Sequence, residues 1–123
     1  MTRILIVDDE ADIREILSFS LRAAHYEVVE AANVRKANAL LFVGVHFDLV
    51  ISDIGMEHPN AGIEFAEMRR VLQDNTPILL MSSTRPAEID SLLVAGTIQG
   101  FFQKPLDYEK IVETTGQLLV PNQ

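Results

Sequence analysis

The chain has 123 residues, 48% hydrophobic and 23% charged, which suits a single globular domain and excludes a disordered segment. A formal net charge of −8 makes it a poor partner for nucleic-acid backbones and suits cations or basic protein surfaces. The absence of cysteine excludes disulfides, thiol catalysis and cysteine-ligated metals, and no apolar run approaches the roughly 18 residues of a membrane span.

The first residues lead directly into a strand pattern without a leader, so the expectation is one cytoplasmic domain over 1–123, with Val120-Pro121-Asn122-Gln123 as its end, natural or truncated. Ile4-Leu5-Ile6-Val7 is continuously apolar and predicts a strand buried on both faces, central in a parallel sheet. It stops at Asp8-Asp9-Glu10. Ile13, Ile16, Leu17, Leu21 and Ala24 then recur at helical period, with Phe19 off that stripe. Tyr26 to Glu30 reads as a more polar edge strand. Asn33 caps a helix carrying Val34, Ala37, Leu40 and Leu41.

Phe47 to Ser52 is the third predicted strand, and Asp53 stands where it leaves the core. Gly62 to Leu72 predicts a helix with Phe65, Met68 and Leu72 inward. Pro77 opens the apolar strand Ile78-Leu79-Leu80-Met81, which ends in Ser82-Ser83-Thr84. Pro86 is placed in the first turn of a helix that carries Ile89, Leu92 and Leu93 and stops at Gly96. Gln99 to Gln103 is a short fifth strand, followed by Lys104-Pro105. Asp107 caps a last helix bearing Ile111, Val112, Thr115, Leu118 and Leu119.

Strand and helix alternate five times, which argues a parallel sheet with helices on both faces. Right-handed crossovers then bring every strand's C-terminal end to one edge, where open α/β sheets bind ligands. That edge collects Asp8, Asp9, Asp53, Ser82 and Lys104. Carboxylates gathered in one crevice repel each other and require a counter-charge. A hard divalent cation such as Mg²⁺ suits oxygen ligands, and Lys104 adds a second positive charge. A cation and a lysine around one Asp are what phosphoryl transfer onto that Asp needs.

Together, Ile-Val-Asp8-Asp9-Glu10, Asp53, Ser82 and Lys104-Pro105 resemble the receiver domain of bacterial two-component response regulators, over essentially the whole chain. The resemblance implies a (βα)₅ flavodoxin-like fold, a three-layer sandwich with strand order 2-1-3-4-5. It implies that Asp53 accepts a phosphoryl group from a histidine kinase or phosphotransfer protein, with Mg²⁺ as cofactor. Asp9 would ligate Mg²⁺ directly, Asp8 directly or through water, and Asp53 and the Gly55 carbonyl would complete the protein's share. Ser82 and Lys104 would contact the phosphoryl group. Ser82 and Phe101 would be switch residues, Gly55 and Thr84 would tune the lifetime, and the Lys104-Pro105 bond would be cis. The output partner, domain or second copy would dock on the face of the fourth helix, fifth strand and fifth helix. No enzyme activity beyond self-phosphorylation and autodephosphorylation, no direct nucleic-acid contact and no membrane contact are expected.

Each residue also has a plain reading. Glu10 and Asp12 fit a solvated acidic helix start. Asp53 alone could be a turn aspartate, Lys104 a surface lysine, and Phe101 simple core. Phe19 is either an ordinary exposed apolar side chain or a kinase contact. His25, His46 and His58 share no ligand spacing. The family usually places Met-Pro soon after the phosphoacceptor; here Glu57-His58 stands in that place and the loop to Gly62 is one residue longer, so Glu57 adds negative charge near the metal. Three other readings compete with this one. A Mg²⁺-dependent Asp phosphatase would want an acid where Gly55 stands. A flavin binder would want a Ser/Thr/Gly-rich loop in place of Asp8-Asp9-Glu10. A receiver-like scaffold never phosphorylated would not need the complete residue set.

Overall fold

The computed structural model describes residues 1–120, so Pro121, Asn122 and Gln123 of the expected terminus lie outside the described residues. Strands and helices alternate throughout: β1 (Arg3–Val7), α1 (Ala11–Ala23), β2 (Glu27–Ala31), α2 (Val34–Phe42), β3 (Leu49–Asp53), α3 (Ala61–Val71), β4 (Ile78–Ser82), α4 (Ile89–Val94), β5 (Gly100–Gln103) and α5 (Tyr108–Leu118). The five strands form one parallel sheet in the order β2-β1-β3-β4-β5. The polar β2 is an edge strand, as its composition predicts.

The continuous apolar runs follow from burial on both faces. Ile4 and Ile6 of β1 and Leu79 and Met81 of β4 pack with Leu17, Leu21 and Ile111, the layer of α1 and α5. Leu5 and Val7 of β1 and Ile78 and Leu80 of β4 pack with Ala37, Phe65 and Ile89, the layer of α2, α3 and α4. Asn33 caps α2 by accepting from Lys36 N at 2.8 Å, and Asp107 caps α5 by accepting from Lys110 N at 3.1 Å.

Several helix faces differ from the periodic reading. Ile16, Met68 and Leu72 are 48%, 51% and 58% exposed, although each sits on an expected inward stripe. In α1 the buried positions are Leu17, Ser18 and Leu21, so the inward face is rotated off Ile16. In α3 burial is confined to Ala61, Gly62, Ile63, Phe65 and Ala66, the N-terminal turns. Pro86 lies outside α4, which begins only at Ile89 and ends before Gly96 at φ +75°.

Register assembles the functional edge. Val7 of β1 pairs with Ser52 of β3, so Asp8 and Asp53 leave the sheet side by side. Asp53 pairs with Met81, which brings Ser82 one step beyond it on the neighbouring strand. Ser82 pairs with Gln103, and the Lys104 N–H donates to the Ser82 carbonyl at 2.8 Å. The Lys104-Pro105 bond is cis, as the resemblance implies.

Candidate functional site

Asp8 is fully buried and Asp53 is 6% exposed, unusual placements for carboxylates. The local fold holds both. Asp8 N donates to Ala31 O at 3.1 Å, its Oδ1 accepts from Glu10 N at 2.8 Å, and Arg14 donates to its carbonyl at 2.7 Å. Behind Asp53, Gly62 N donates to Ile54 O at 2.8 Å and Ile54 N to Met81 O at 2.9 Å. This close approach explains Gly62: a Cβ there would stand 2.1 Å from the Asp53 carbonyl oxygen.

Lys104 bridges the crevice. Its Nζ lies 3.1 Å from Asp8 Oδ2, 2.9 Å from Glu10 Oε1 and 3.4 Å from Asp53 Oδ1. Carboxylate oxygens of Asp8, Asp9 and Glu10 also lie within 4.8 Å of one another. Glu10 is therefore more than the solvated helix start that residue type suggested. Its side chain makes no cap hydrogen bond and turns to Lys104 instead.

One ammonium among these acids leaves an excess of negative charge. Burial and the Asp8 charge, with a smaller contribution from Asp9, push the Asp53 carboxyl up to about 6 against the pull of Lys104. Burial likewise raises Asp8, aided by the Glu10 charge and opposed by the Glu10 N–H and Lys104. Burial by itself would lower Lys104, but hydrogen bonds to Glu10 and Asp8 and the charges of Asp53 and Asp8 hold it well above the ordinary lysine range. The donor set is hard oxygen in charge excess, a fit for a small divalent cation.

Ser82 ends β4, one residue past the strand partner of Asp53, and is 9% exposed. Its Oγ accepts from Thr84 N at 3.3 Å, which leaves the hydroxyl proton free to donate. Thr84 itself is exposed. Phe101 is partly buried against the α2, α3 and α4 layer. The Arg85 guanidinium covers its ring at 5.3 Å from the centroid and pairs with Asp90 at 2.6 Å. Residue types alone gave no sign of that cover. Phe19 is 75% exposed, and all three histidines lie at exposed positions.

Gly55 is exposed just beyond Asp53. Glu57 does not point its charge into the crevice as its place in the sequence suggested. Its two carboxylate oxygens accept from Val34 N at 3.1 Å and Arg35 N at 2.9 Å, at the start of α2. Partial burial opposes ionisation of Glu57, but these N–H groups keep its carboxyl below the usual range. A carboxylate at a helix N-terminus is a recognisable pattern, but this one comes from a distant loop, so local spacing could not reveal it.

The sequence matches the family described as response regulator receiver domain over residues 4–115. It is 34% identical over 113 residues to the regulatory protein AtoC of Escherichia coli, covering 90% of this chain and 24% of that one. It is 40% identical over 84 residues to the phosphate regulon transcriptional regulatory protein PhoB of Pseudomonas aeruginosa, covering 65% and 35%. The chain thus spans between a quarter and about a third of these two relatives. Among solved structures, the chemotaxis protein CheY4 of Vibrio cholerae superposes with a TM-score of 0.83 at 34% identity, covering 97% of this chain and 99% of that one. The response regulator protein TrrA of Thermotoga maritima, solved in complex with Mg²⁺-BeF, gives a TM-score of 0.81 at 33% identity, covering 97% and 100%.

Proposed function

This chain belongs to the response regulator receiver domain family, and on that footing we propose that it is a phosphorylation switch with Asp53 as phosphoacceptor. The observation that carries the proposal is the buried Asp8–Asp53 pair spanned by Lys104. A carboxylate nucleophile, a fixed cation and excess acid converge at one sheet edge.

Mg²⁺ would be held by the carboxylates of Asp8, Asp9 and Asp53 and by the Gly55 carbonyl. When bound it supplies neutralisation of the acid cluster and of the phosphoryl oxygens. The Thermotoga relative solved with Mg²⁺-BeF supports this reading. Above a pKa of about 6 Asp53 is ionised and presents an oxygen nucleophile. That oxygen forms a bond to phosphorus as the bond from phosphorus to the donor's imidazole nitrogen, or to a small acyl-phosphate donor's oxygen, breaks. The product is an acyl phosphate on Asp53. Lys104 neutralises oxygen charge in the transition state and Ser82 donates its hydroxyl hydrogen to a phosphoryl oxygen. Hydrolysis returns the carboxylate and inorganic phosphate, with the exposed Gly55 and Thr84 setting water's access.

Phosphorylation adds charge and acceptors that draw Ser82 inward. The main chain of Ser82 is tied to Lys104 and its strand neighbours β5, so the pull reaches Phe101. Repacking of Phe101 would shift the face of α4, β5 and α5, where an output domain, partner or second copy docks. A histidine kinase or phosphotransfer protein is the donor, and the site works in the cytoplasm. Among the described residues no helix is long and apolar enough to cross a membrane.

Incubation with acetyl phosphate, read by intact mass, tests the proposal. One phosphoryl adduct is expected with Mg²⁺ and none with a chelator. An adduct that forms equally well under chelation would refute the role given to the acid cluster.

A further inference from the structure

The loop after Asp53 has a second anchor. Gly62 N on Ile54 O at 2.8 Å ties its two ends together, and Met56 packs partly into the core. Met56 N donates to His58 O at 3.2 Å, closing a tight turn around Glu57. From that turn Glu57 reaches α2 and takes the N–H groups of Val34 and Arg35, while Asn33 takes that of Lys36. The first three N–H groups of α2 are therefore satisfied by two residues with different attachments. Asn33 belongs to the approach to α2 itself. Glu57 belongs to the loop that carries Gly55.

We infer that Glu57 is a positioning residue for the metal site: by clasping the N-terminus of α2 it fixes the Asp53-to-Asn60 loop and with it the carbonyl of Gly55. The inference rests on the metal-site reading given above. The loop's own backbone bonds join its ends and close two turns, Met56 N to His58 O and Ala61 N to His58 O, and none of these bonds is made by Gly55, which is exposed between them. Two charge-assisted bonds to a helix N-terminus are strong enough to select one loop conformation. Preorganisation of this kind raises cation affinity without adding a ligand.

The separation of Glu57 from Asn33 gives a clean test. Glu57→Ala and Asn33→Ala each strip α2 of capping acceptors, but only the first releases the loop. ¹H–¹⁵N spectra of both variants and the parent would be recorded at neutral pH without phosphodonor, then titrated with Mg²⁺. In Glu57→Ala the Gly55 and Met56 amide signals are expected to move or broaden before Mg²⁺ is added. Its Mg²⁺ affinity should fall roughly tenfold, the lower end of what outer partners of metal ligands cost. Asn33→Ala should keep both the signals and the affinity of the parent. Unchanged affinity in Glu57→Ala, or an equal loss in Asn33→Ala, would overturn the positioning role while leaving the metal site standing. A parent that binds no Mg²⁺ at this edge would overturn both.

Discussion

Replacing Asp53 by Asn should make the metal-free protein more stable. The two side chains match in size, and Asn cannot ionise. Burial and the Asp8 charge raise the Asp53 carboxyl from 3.8 to about 6 in the fold, so folding favours its protonated form. The sign follows by linkage: the native state holds a proton that the unfolded state releases, and stability falls as pH rises between the two values. At about 1.4 kcal/mol per pH unit, ionised Asp53 costs the fold about 3 kcal/mol once pH exceeds both. Lys104 keeps its partners in the variant, since Asp8 and Glu10 lie 3.1 and 2.9 Å from Nζ. Asp53→Asn should therefore gain about 3 kcal/mol at neutral pH with a chelator present, roughly 10 °C in Tm for a domain this size. The gain should fade as pH falls through 6 and be gone below 3.8. Urea unfolding followed by circular dichroism across that range is the assay. Added Mg²⁺ should stabilise the parent more than the variant and narrow the gap. A variant no more stable than the parent at neutral pH, or a gain independent of pH, would refute the argument from carboxylate crowding.

Lys104→Met acts in the opposite direction. It leaves Asp8 and Asp53 without their ammonium and should cost about 3 kcal/mol at neutral pH, partly restored by Mg²⁺ or by acid, as read by the same unfolding curves. Gly62→Ala places a methyl carbon 2.1 Å from the Asp53 carbonyl oxygen. Backbone cannot yield there cheaply, so urea unfolding should show a loss of about 3 kcal/mol or more, with slowed phosphorylation in whatever folds.

The sheet was legible because its strands are buried on both faces. Ile4-Leu5-Ile6-Val7 and Ile78-Leu79-Leu80-Met81 read as fully apolar strands, and both lie inside the sheet, buried on both faces. The site's composition was legible for the same reason, since Asp8, Asp53, Ser82 and Lys104 stand at or just beyond strand ends, where register alone brings them together. Helix faces were harder. Ile16, Met68 and Leu72 satisfy a helical period, but the period says nothing of how a helix is rotated or how far the sheet beneath it extends. Pro86 matched a helix-start preference, yet α4 is only Ile89–Val94. Least legible were contacts made across the fold by side chains that local pattern marks as surface: Glu10 on Lys104, Glu57 on the start of α2 and Arg85 over Phe101. Each is a charged residue whose partner is chosen by tertiary structure.

The most direct test of the central claim is to locate the phosphoryl group. Protein treated with acetyl phosphate and Mg²⁺ would be reduced with borohydride, which converts an acyl phosphate to an alcohol and so turns a phosphorylated Asp into homoserine. Peptide mapping by mass spectrometry then reads the position. Homoserine is expected at position 53 and none at position 8 or 9. Homoserine at either of those positions, or a stable phosphate ester on Ser82, would contradict the claim.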